Sequence, residues 1–365
     1  MKTLCKEQLA SFWTLDDFEI LARDHISSAA YEYVAGGAGE GLSIPENRAA
    51  FNRIRLNPRV LVDASSIDTK RQLFGREHAF PILLAPAAYH KLVHPEGELE
   101  TVKGADLSGA TLVAACFSTV SYEAMRQASR LPLWFQLYFQ TDRAFTKDLV
   151  QRVLAAGCEA ICVCVDVPVN GPRDREHRAG FKLPPGVARA NLASLGATVS
   201  AGSHRPGGRN IYSITHGADV TWKDIEWLRS VIPVPLLLKG ILHPDDALAA
   251  VDAGCDGVIV SNHGGRSLDT VPASIEALPA IAGRLEGRVP LILDGGVRRG
   301  IDVFKALALG AAAVMIGRSY LYGLAAGGAL GVERVVEILR TELEMTMGLV
   351  GCPGLSQISN RFLFP

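Results

Sequence analysis

The sequence predicts an α/β protein, a (β/α)₈ barrel with an N-terminal helical extension and a long insertion after the fourth strand. Three observations carry this prediction: eight short apolar runs, helix-like segments between them that end at glycine, and a rhythm without a break. Alternating strands and helices favour a parallel sheet, and eight such units favour its closure into a barrel. An open, doubly wound sheet is the alternative that this pattern leaves.

The eight apolar runs are short, rich in β-forming residues and mostly free of polar alternation, as in strands that are buried on both faces. They cover residues 81–85, 110–114, 133–137, 160–165, 235–238, 257–260, 291–293 and 313–316.

Helical spacing of apolar residues recurs between these runs. Residues 144–156, 243–253 and 302–309 show it, and each segment is followed by a glycine that can cap a helix. We expect one domain over the whole chain. Its parts are the helical extension (1–75), the barrel (76–365) and a polar insertion at about 182–220 that is a lid or a disordered loop.

Composition excludes several classes of protein. The chain is 48% hydrophobic and 21% charged, which fits a globular protein. Its net charge of -1 creates no global field for nucleic acid or an anionic membrane. The seven cysteines show neither zinc-site spacing nor disulfide-scaffold density, so we expect reduced, buried thiols in a cytoplasmic protein. No apolar window is long enough for a membrane span.

The stretch SNHGGRSLD (261–269) follows a buried run and is the strongest functional signal. It places His263 and Arg266 around two glycines. A histidine can exchange a proton near neutral pH, and an arginine can bind a carboxylate through two parallel hydrogen bonds. A catalytic loop is therefore predicted at this strand end.

Charged residues also follow the fourth and fifth runs. Asp166 can orient the His263 imidazole by accepting its ring N–H, or it can cap a helix. Lys239 ends an apolar strand, where an unpaired charge is costly. It is expected to face a negative ligand group or, alternatively, a structural carboxylate.

Glycine turns with arginines follow the seventh and eighth runs, where barrels often bind phosphate through backbone amides. We expect a cofactor phosphate at the glycines and arginines of these turns, Gly295, Gly296, Arg298, Gly317 and Arg318, and a cofactor contact at Asp294.

Five motifs extend the pattern over nearly the whole chain: SNHGGRSLD, LDGGVRRGIDVFKALALGA, HPEGE, WFQLY and VDVPVNGPRDREHRAGF. With them the chain resembles, from about residue 15 to about residue 358, the FMN-dependent (S)-2-hydroxy acid oxidase and dehydrogenase family. That family includes glycolate oxidase, lactate oxidase and mandelate dehydrogenase.

The resemblance implies FMN as cofactor and a role for each matching residue. It makes His263 the base, Asp166 its partner and Tyr138 the neighbour of the substrate hydroxyl. The remaining implied contacts are Tyr33, Arg173 and Arg266 for the substrate carboxylate; Ala87, Ala88, Ser118, Gln136, Cys164 and Lys239 for the flavin ring; and Gly296, Arg298, Gly317 and Arg318 for the phosphate.

Three residues depart from the family pattern. Phe117, in the substrate pocket, stands where glycolate oxidase has tryptophan. Cys164 replaces a usual threonine, and Asn170 a residue that is often hydrophobic. The departures leave the substrate side chain open.

The implied reaction is oxidation of a small-molecule (S)-2-hydroxy acid to its 2-oxo acid. The polar insertion favours dioxygen as acceptor, with hydrogen peroxide as product, over a dehydrogenase that uses another acceptor. Another FMN barrel enzyme, such as an isopentenyl diphosphate isomerase, and a non-catalytic flavin-binding protein are the further alternatives. By analogy with relatives, a homotetramer is expected, with no metal, nucleic-acid or membrane partner.

Overall fold

The computed structural model describes residues 3–195 and 217–365, so most of the predicted lid lies outside the described residues. Ten strands occur in this part of the chain: β1 (Arg71–Leu73), β2 (Arg76–His78), β3 (Ile82–Leu84), β4 (Val113–Ala115), β5 (Trp134–Leu137), β6 (Ile161–Cys164), β7 (Leu236–Ile241), β8 (Gly257–Ser261), β9 (Leu291–Asp294) and β10 (Ala313–Ile316).

Strands β3 to β10 form one parallel sheet in the order β3-β10-β9-β8-β7-β6-β5-β4. A parallel bridge between Leu84 and Leu112 connects the two ends of this order. The predicted barrel is therefore confirmed over the open sheet, and every predicted run overlaps one strand of the sheet.

The described helices are α1 (Lys6–Leu9), α2 (Leu15–His25), α3 (Ser28–Ala35), α4 (Ser43–Arg53), α5 (Glu98–Ser108), α6 (Tyr122–Ala128), α7 (Arg143–Ala155), α8 (Asp174–Arg178), α9 (Trp222–Val231), α10 (Pro244–Asp252), α11 (Ser274–Leu285), α12 (Gly300–Ala308) and α13 (Arg318–Val350). The three predicted helices correspond to α7, α10 and α12, and each observed end lies within two residues of the predicted one. In the part of the chain described, no helix combines the length and the apolar character needed to cross a bilayer.

Side chains of the barrel strands separate into two apolar layers. Alternate residues point into the barrel, and Leu83, Val113, Cys162 and Leu237 belong to this inner cluster. Their neighbours along each strand pack outward against the helices in a much larger cluster. This alternation is the period-two pattern of strands, applied to a closed sheet.

The N-terminal extension is helical only as far as Arg53, and the β1–β2 hairpin that follows was not predicted. Leu73 joins the inner cluster of the barrel. The Phe74 ring lies 5.6 Å from the ring of Trp134, which begins β5. The hairpin thus packs against the barrel where the strands begin, opposite the ends that carry the polar residues.

Candidate active site

A cavity of about 860 Å³ lies where the barrel strands end. Every predicted site residue except Asp166 and Ser118 lines it: Tyr33, Ala87, Ala88, Phe117, Gln136, Tyr138, Cys164, Arg173, Lys239, His263, Arg266, Asp294, Gly295, Gly296, Arg298, Gly317 and Arg318. Residues separated by almost the whole chain therefore meet in one place.

Asp166 lies behind His263, as predicted. Its two carboxylate oxygens are 3.0 Å and 3.2 Å from Nδ1 of His263. A carboxylate can only accept, so Nδ1 carries the ring proton and Nε2 is left as an acceptor. The alternative role of Asp166 as a helix cap is not observed, because the next helix begins at Asp174.

Burial and charge act in opposite directions on this pair. Burial lowers the pKa of His263 below its ordinary value, although the Asp166 carboxylate pulls it upward. Burial would raise the pKa of Asp166, but its interactions with His263, Lys239 and Cys164 together outweigh burial and lower that pKa. At neutral pH the pair is therefore a neutral imidazole beside a carboxylate, the state that a general base requires.

Gly240 allows this arrangement because it follows Lys239 at the end of β7 with a φ of +107°. A Cβ atom at this position would lie 2.4 Å from Cβ and Cγ of Asp166. Any side chain would therefore displace the carboxylate from the imidazole. Glycine also tolerates the positive φ without strain.

Arg173 and Arg266, the two arginines predicted to bind the substrate carboxylate, both line the cavity but differ in their hydrogen bonds. Nη1 of Arg266 donates to the carbonyl oxygens of Tyr33, Val34 and Gly36 at 2.7, 3.3 and 2.9 Å. Nη1 of Arg173 is buried and has no hydrogen-bond partner among the described residues. Burial and the charge of Arg266 lower the pKa of Arg173 to about 10, so it remains protonated at neutral pH. Arg173 therefore offers the open donor of the pair.

Glu176, on α8, was not predicted and lies between the two arginines. Its Oε1 accepts from Nη2 of Arg266 at 3.3 Å and is 3.9 Å from Nε of Arg173. The glutamate lines the cavity together with both arginines. A protein carboxylate therefore already touches the groups predicted to bind a substrate carboxylate.

Aromatic side chains form the adjacent wall. Phe117 lies 5.0 Å from the Tyr138 ring, and Tyr33 stacks on Phe181 at 4.6 Å. Burial raises the pKa of Tyr33 to about 12, so its hydroxyl keeps its proton and can donate to an anion. Arg189, also absent from the predictions, lies with its guanidinium 4.2 Å above the Phe117 ring.

Lys239 forms an ion pair with a protein carboxylate, which is the second of the two partners expected from the sequence. The lysine also lines the cavity. Its Nζ is 2.6 Å from Oδ2 of Asp294 and donates to Oγ of Ser261 at 2.9 Å. Burial would lower the pKa of Lys239, but Asp294 outweighs it and raises that pKa. A fixed positive charge is thus presented to whatever occupies the cavity.

The predicted phosphate site, called the phosphate corner below, comprises residues 294–298 and 317–318. It contains the beginning of α13, with Gly317 as the N-cap and Arg318 as the first residue of the helix. Helix N-termini bind anions through unpaired backbone amides. The Arg318 guanidinium itself donates to the carbonyls of Val34, Gly264 and Gly36. Nη1 of Arg298 is buried and makes no hydrogen bond to a described residue, although Glu19 is 3.2 Å away.

These groups fit FMN. Nε2 of Gln136 is a third buried donor in the cavity wall, after Nη1 of Arg173 and of Arg298, without a hydrogen-bond partner among the described residues. Buried donors are almost always satisfied, so an orphan in a cavity wall indicates a missing acceptor. Gln136 and Lys239 could serve a polar ring edge, while Arg298 and the α13 N-terminus could serve a phosphate.

Ser118 is not among the residues that line the cavity, and its contact with the flavin ring stays a prediction. Its hydroxyl donates to the carbonyl of Val120 at 2.6 Å and accepts from Nδ2 of Asn191 at 2.8 Å. Ala115, the last residue of β4, lines the cavity instead.

Fold and site together define a parallel-barrel enzyme in which an acid–base pair faces arginines and a phosphate corner. A sequence profile described as FMN-dependent dehydrogenase matches residues 22–365. An L-lactate oxidase of Nostoc sp. is 45% identical over 359 residues, covering 96% of this chain and 97% of that protein. A peroxisomal (S)-2-hydroxyacid oxidase of Arabidopsis thaliana is 43% identical, covering 95% of both chains.

Solved structures give the same result. A crystal structure of mandelate oxidase superposes with a TM-score of 0.88 and 39% sequence identity, covering 97% of this chain and 98% of that one. The chain belongs to the FMN-dependent dehydrogenase family, and its resemblance to the 2-hydroxy acid oxidases of that family is confirmed.

Proposed function

We propose that the protein oxidises an (S)-2-hydroxy acid to the corresponding 2-oxo acid and reduces dioxygen to hydrogen peroxide. The observation that carries this proposal is that His263, hydrogen-bonded to Asp166 behind it, lines the same cavity as Arg173 and Arg266. A base and an anion clamp within one cavity suit a small molecule that carries both a carboxylate and an adjacent hydroxyl group.

Substrate binding begins at the arginines. The open Nη1 of Arg173, Nη2 of Arg266 and the protonated Tyr33 hydroxyl together supply donors for the substrate carboxylate. Fixing the carboxylate positions the neighbouring carbon and hydroxyl against the base, which removes much of the entropic part of the barrier. Glu176 must share Arg266 with the incoming carboxylate or give it up.

His263 then accepts a proton from the substrate at Nε2. The imidazolium that forms is stabilised by Asp166 through the hydrogen bond at Nδ1. Bound in the cavity, FMN supplies the acceptor for the two electrons. Lys239 presents its fixed charge to the ring, and burial holds the Tyr138 hydroxyl in its protonated form by raising its pKa.

The test is the His263→Ala variant. We expect it to retain bound flavin, because the phosphate corner and Gln136 are untouched, and to lose turnover of (S)-2-hydroxy acids. Flavin bleaching by substrate under anaerobic conditions measures the reductive half-reaction, and timed exposure to air with peroxide detection measures the acceptor. Wild-type rates of bleaching in the variant would remove His263 from the role of base.

A substrate panel of lactate, glycolate and mandelate, each as both enantiomers where these exist, addresses the side chain. The relatives named above, a lactate oxidase, a (S)-2-hydroxyacid oxidase and a mandelate oxidase, support this choice. We expect turnover of (S) forms only. Bleaching without reoxidation by air would instead support a dehydrogenase with another acceptor.

We also infer that residues 1–365 act as one domain, since α3 in the N-terminal extension supplies Tyr33 and the carbonyls that hold Arg266 and Arg318. The cytoplasmic location and the homotetramer stay predictions.

A further inference from the structure

Three potential metal ligands lie at the ends of β6 and β8. Sγ of Cys164, a carboxylate oxygen of Asp166 and Nδ1 of His263 are all within 4.8 Å of one another. In the described part of the chain, this is the one group of three or more histidine, cysteine or acidic side chains that could hold a metal ion. Cys164 is 8% exposed, and the other two are partly buried.

The spacing of the three atoms matches a tetrahedral zinc site. The Sγ–Nδ1 distance is 3.7 Å, the Sγ–Oδ1 distance 3.2 Å, and the Nδ1–carboxylate distances 3.0 and 3.2 Å. Zn²⁺ bonds of about 2.3 Å to sulfur and about 2.0 to 2.2 Å to nitrogen and oxygen, at tetrahedral angles, separate ligand atoms by about 3.3 to 3.6 Å. Shifts of a few tenths of an ångström would therefore complete the coordination.

The ligand types and the local charge also suit a soft divalent cation. Thiolate and imidazole prefer Zn²⁺ and similar ions to Mg²⁺ or Ca²⁺. One thiolate and one carboxylate neutralise two positive charges. Lys239, a cation that acts on Cys164, Asp166 and His263, is already paired with Asp294 at 2.6 Å.

We propose that Cys164, Asp166 and His263 form a binding site for a soft divalent cation, with Zn²⁺ as the probe. Binding forms Zn–S, Zn–O and Zn–N bonds, and the Cys164 thiol proton leaves to solvent. The fourth position of a tetrahedral ion is left for a water molecule. Three protein ligands with one open position is the arrangement of a zinc site that still exchanges ligands.

Metal binding at this position would switch off the base. The metal takes Nδ1, so the ring proton moves through solvent to Nε2, and Nε2 can no longer accept a proton from the substrate. The Asp166 carboxylate is withdrawn from the imidazole at the same time. This consequence rests on the function proposed above, whereas the metal site itself does not.

The site is tested by X-ray absorption on the flavin-loaded enzyme with one equivalent of Zn²⁺. We expect a first shell with one sulfur at about 2.3 Å and nitrogen or oxygen ligands at about 2.0 Å. The sulfur should vanish in Cys164→Ser and persist in Cys5→Ser, which removes an exposed thiol that does not line the cavity. A shell without sulfur in the native enzyme, or a sulfur that survives in Cys164→Ser, would overturn the proposal.

Turnover is measured in parallel, with free Zn²⁺ set by a nitrilotriacetate buffer and each variant referred to its own metal-free rate. We expect reversible inhibition with flavin retained, and at least a tenfold higher half-inhibitory Zn²⁺ concentration in Cys164→Ser but not in Cys5→Ser. If the sulfur shell is present and turnover is unaffected, the metal site stands and the role of His263 as base falls. Zinc-driven loss of flavin would contradict the tautomer mechanism.

Discussion

At the scale of single residues, the pKa of His263, the proposed base, is expected to set the pH range in which the enzyme works. The base must be neutral, so activity is lost as pH falls through that pKa. Burial lowers it below the ordinary value of 6.5. The acidic limb of kcat/KM, which reports the free enzyme, should therefore have its midpoint below 6.5. A midpoint above that value would contradict the buried, neutral imidazole.

Asp166→Asn extends the same argument. The carboxylate raises the pKa of His263, so its loss should move the acidic limb to still lower pH. The imidazolium also loses its stabilising partner, and kcat should fall by roughly a hundredfold or more. The two effects together separate a positioning carboxylate from a structural one, because a folding defect would lower the amount of active enzyme without moving the limb.

Glu176 is predicted to limit substrate affinity. Its carboxylate lies 3.3 Å from Nη2 of Arg266, where it repels a second carboxylate bound to the same group. Glu176→Gln should lower KM for 2-hydroxy acids roughly tenfold, about 1.4 kcal/mol, with little change in kcat. Asp174→Asn, on the same helix but outside the cavity wall, is the matched control. A raised KM would show instead that Glu176 holds the arginines in their binding positions.

At the scale of elements, the two ends of the barrel serve different purposes. The strand ends carry the site, whereas the β1–β2 hairpin packs apolar residues against the strand beginnings. Leu73→Ala should cost about 2–5 kcal/mol of unfolding free energy, because Leu73 is 2% exposed in the inner cluster. The flavin content and kcat/KM of the folded fraction should not change.

The exposed neighbour Gln72 gives the control for this measurement, since Gln72→Ala keeps the strand but removes no buried surface. Thermal or urea unfolding, followed beside steady-state kinetics at low temperature, reports both quantities. A proportionate loss of kcat/KM in Leu73→Ala would show that the hairpin also shapes the site.

Elements differ in how far the sequence predicts them. The barrel strands were predictable because burial on both faces leaves continuous apolar runs such as Leu236 to Leu238. The hairpin was not, because its strands read RQL and REH and only Leu73 reveals a buried face. Ser118 was assigned to the flavin ring by resemblance alone, because the sequence does not show that β4 ends at Ala115. Glu176 was not predicted because its role depends on a hydrogen bond with Arg266, which is 90 residues later in the sequence.

At the scale of the whole molecule, the cavity is where distant parts of the chain meet. Val34 lies in the N-terminal extension, Gly264 in the loop after β8 and Arg318 at the start of α13. The Arg318 guanidinium donates hydrogen bonds to the carbonyl oxygens of Val34 and Gly264. Burial and the charge of Arg266 lower the pKa of Arg318 to about 10. A bound anion would offset this concentration of positive charge, so cofactor binding and global stability should be coupled.

Removal of FMN should therefore lower the melting temperature, and FMN should restore it in proportion to its free concentration. A ligand specific for the native state adds about 2.7 kcal/mol at a hundred times its Kd. Riboflavin, which lacks the phosphate, should give a much smaller shift of the melting temperature at equal concentration, because it leaves Arg298 and the α13 N-terminus without an anion.

Arg298→Leu should reduce the melting-temperature shift caused by FMN toward the riboflavin value and leave the shift caused by riboflavin unchanged. Equal shifts for the two flavins in the native enzyme would mean that the phosphate is held elsewhere, and Arg298 would lose its assigned role.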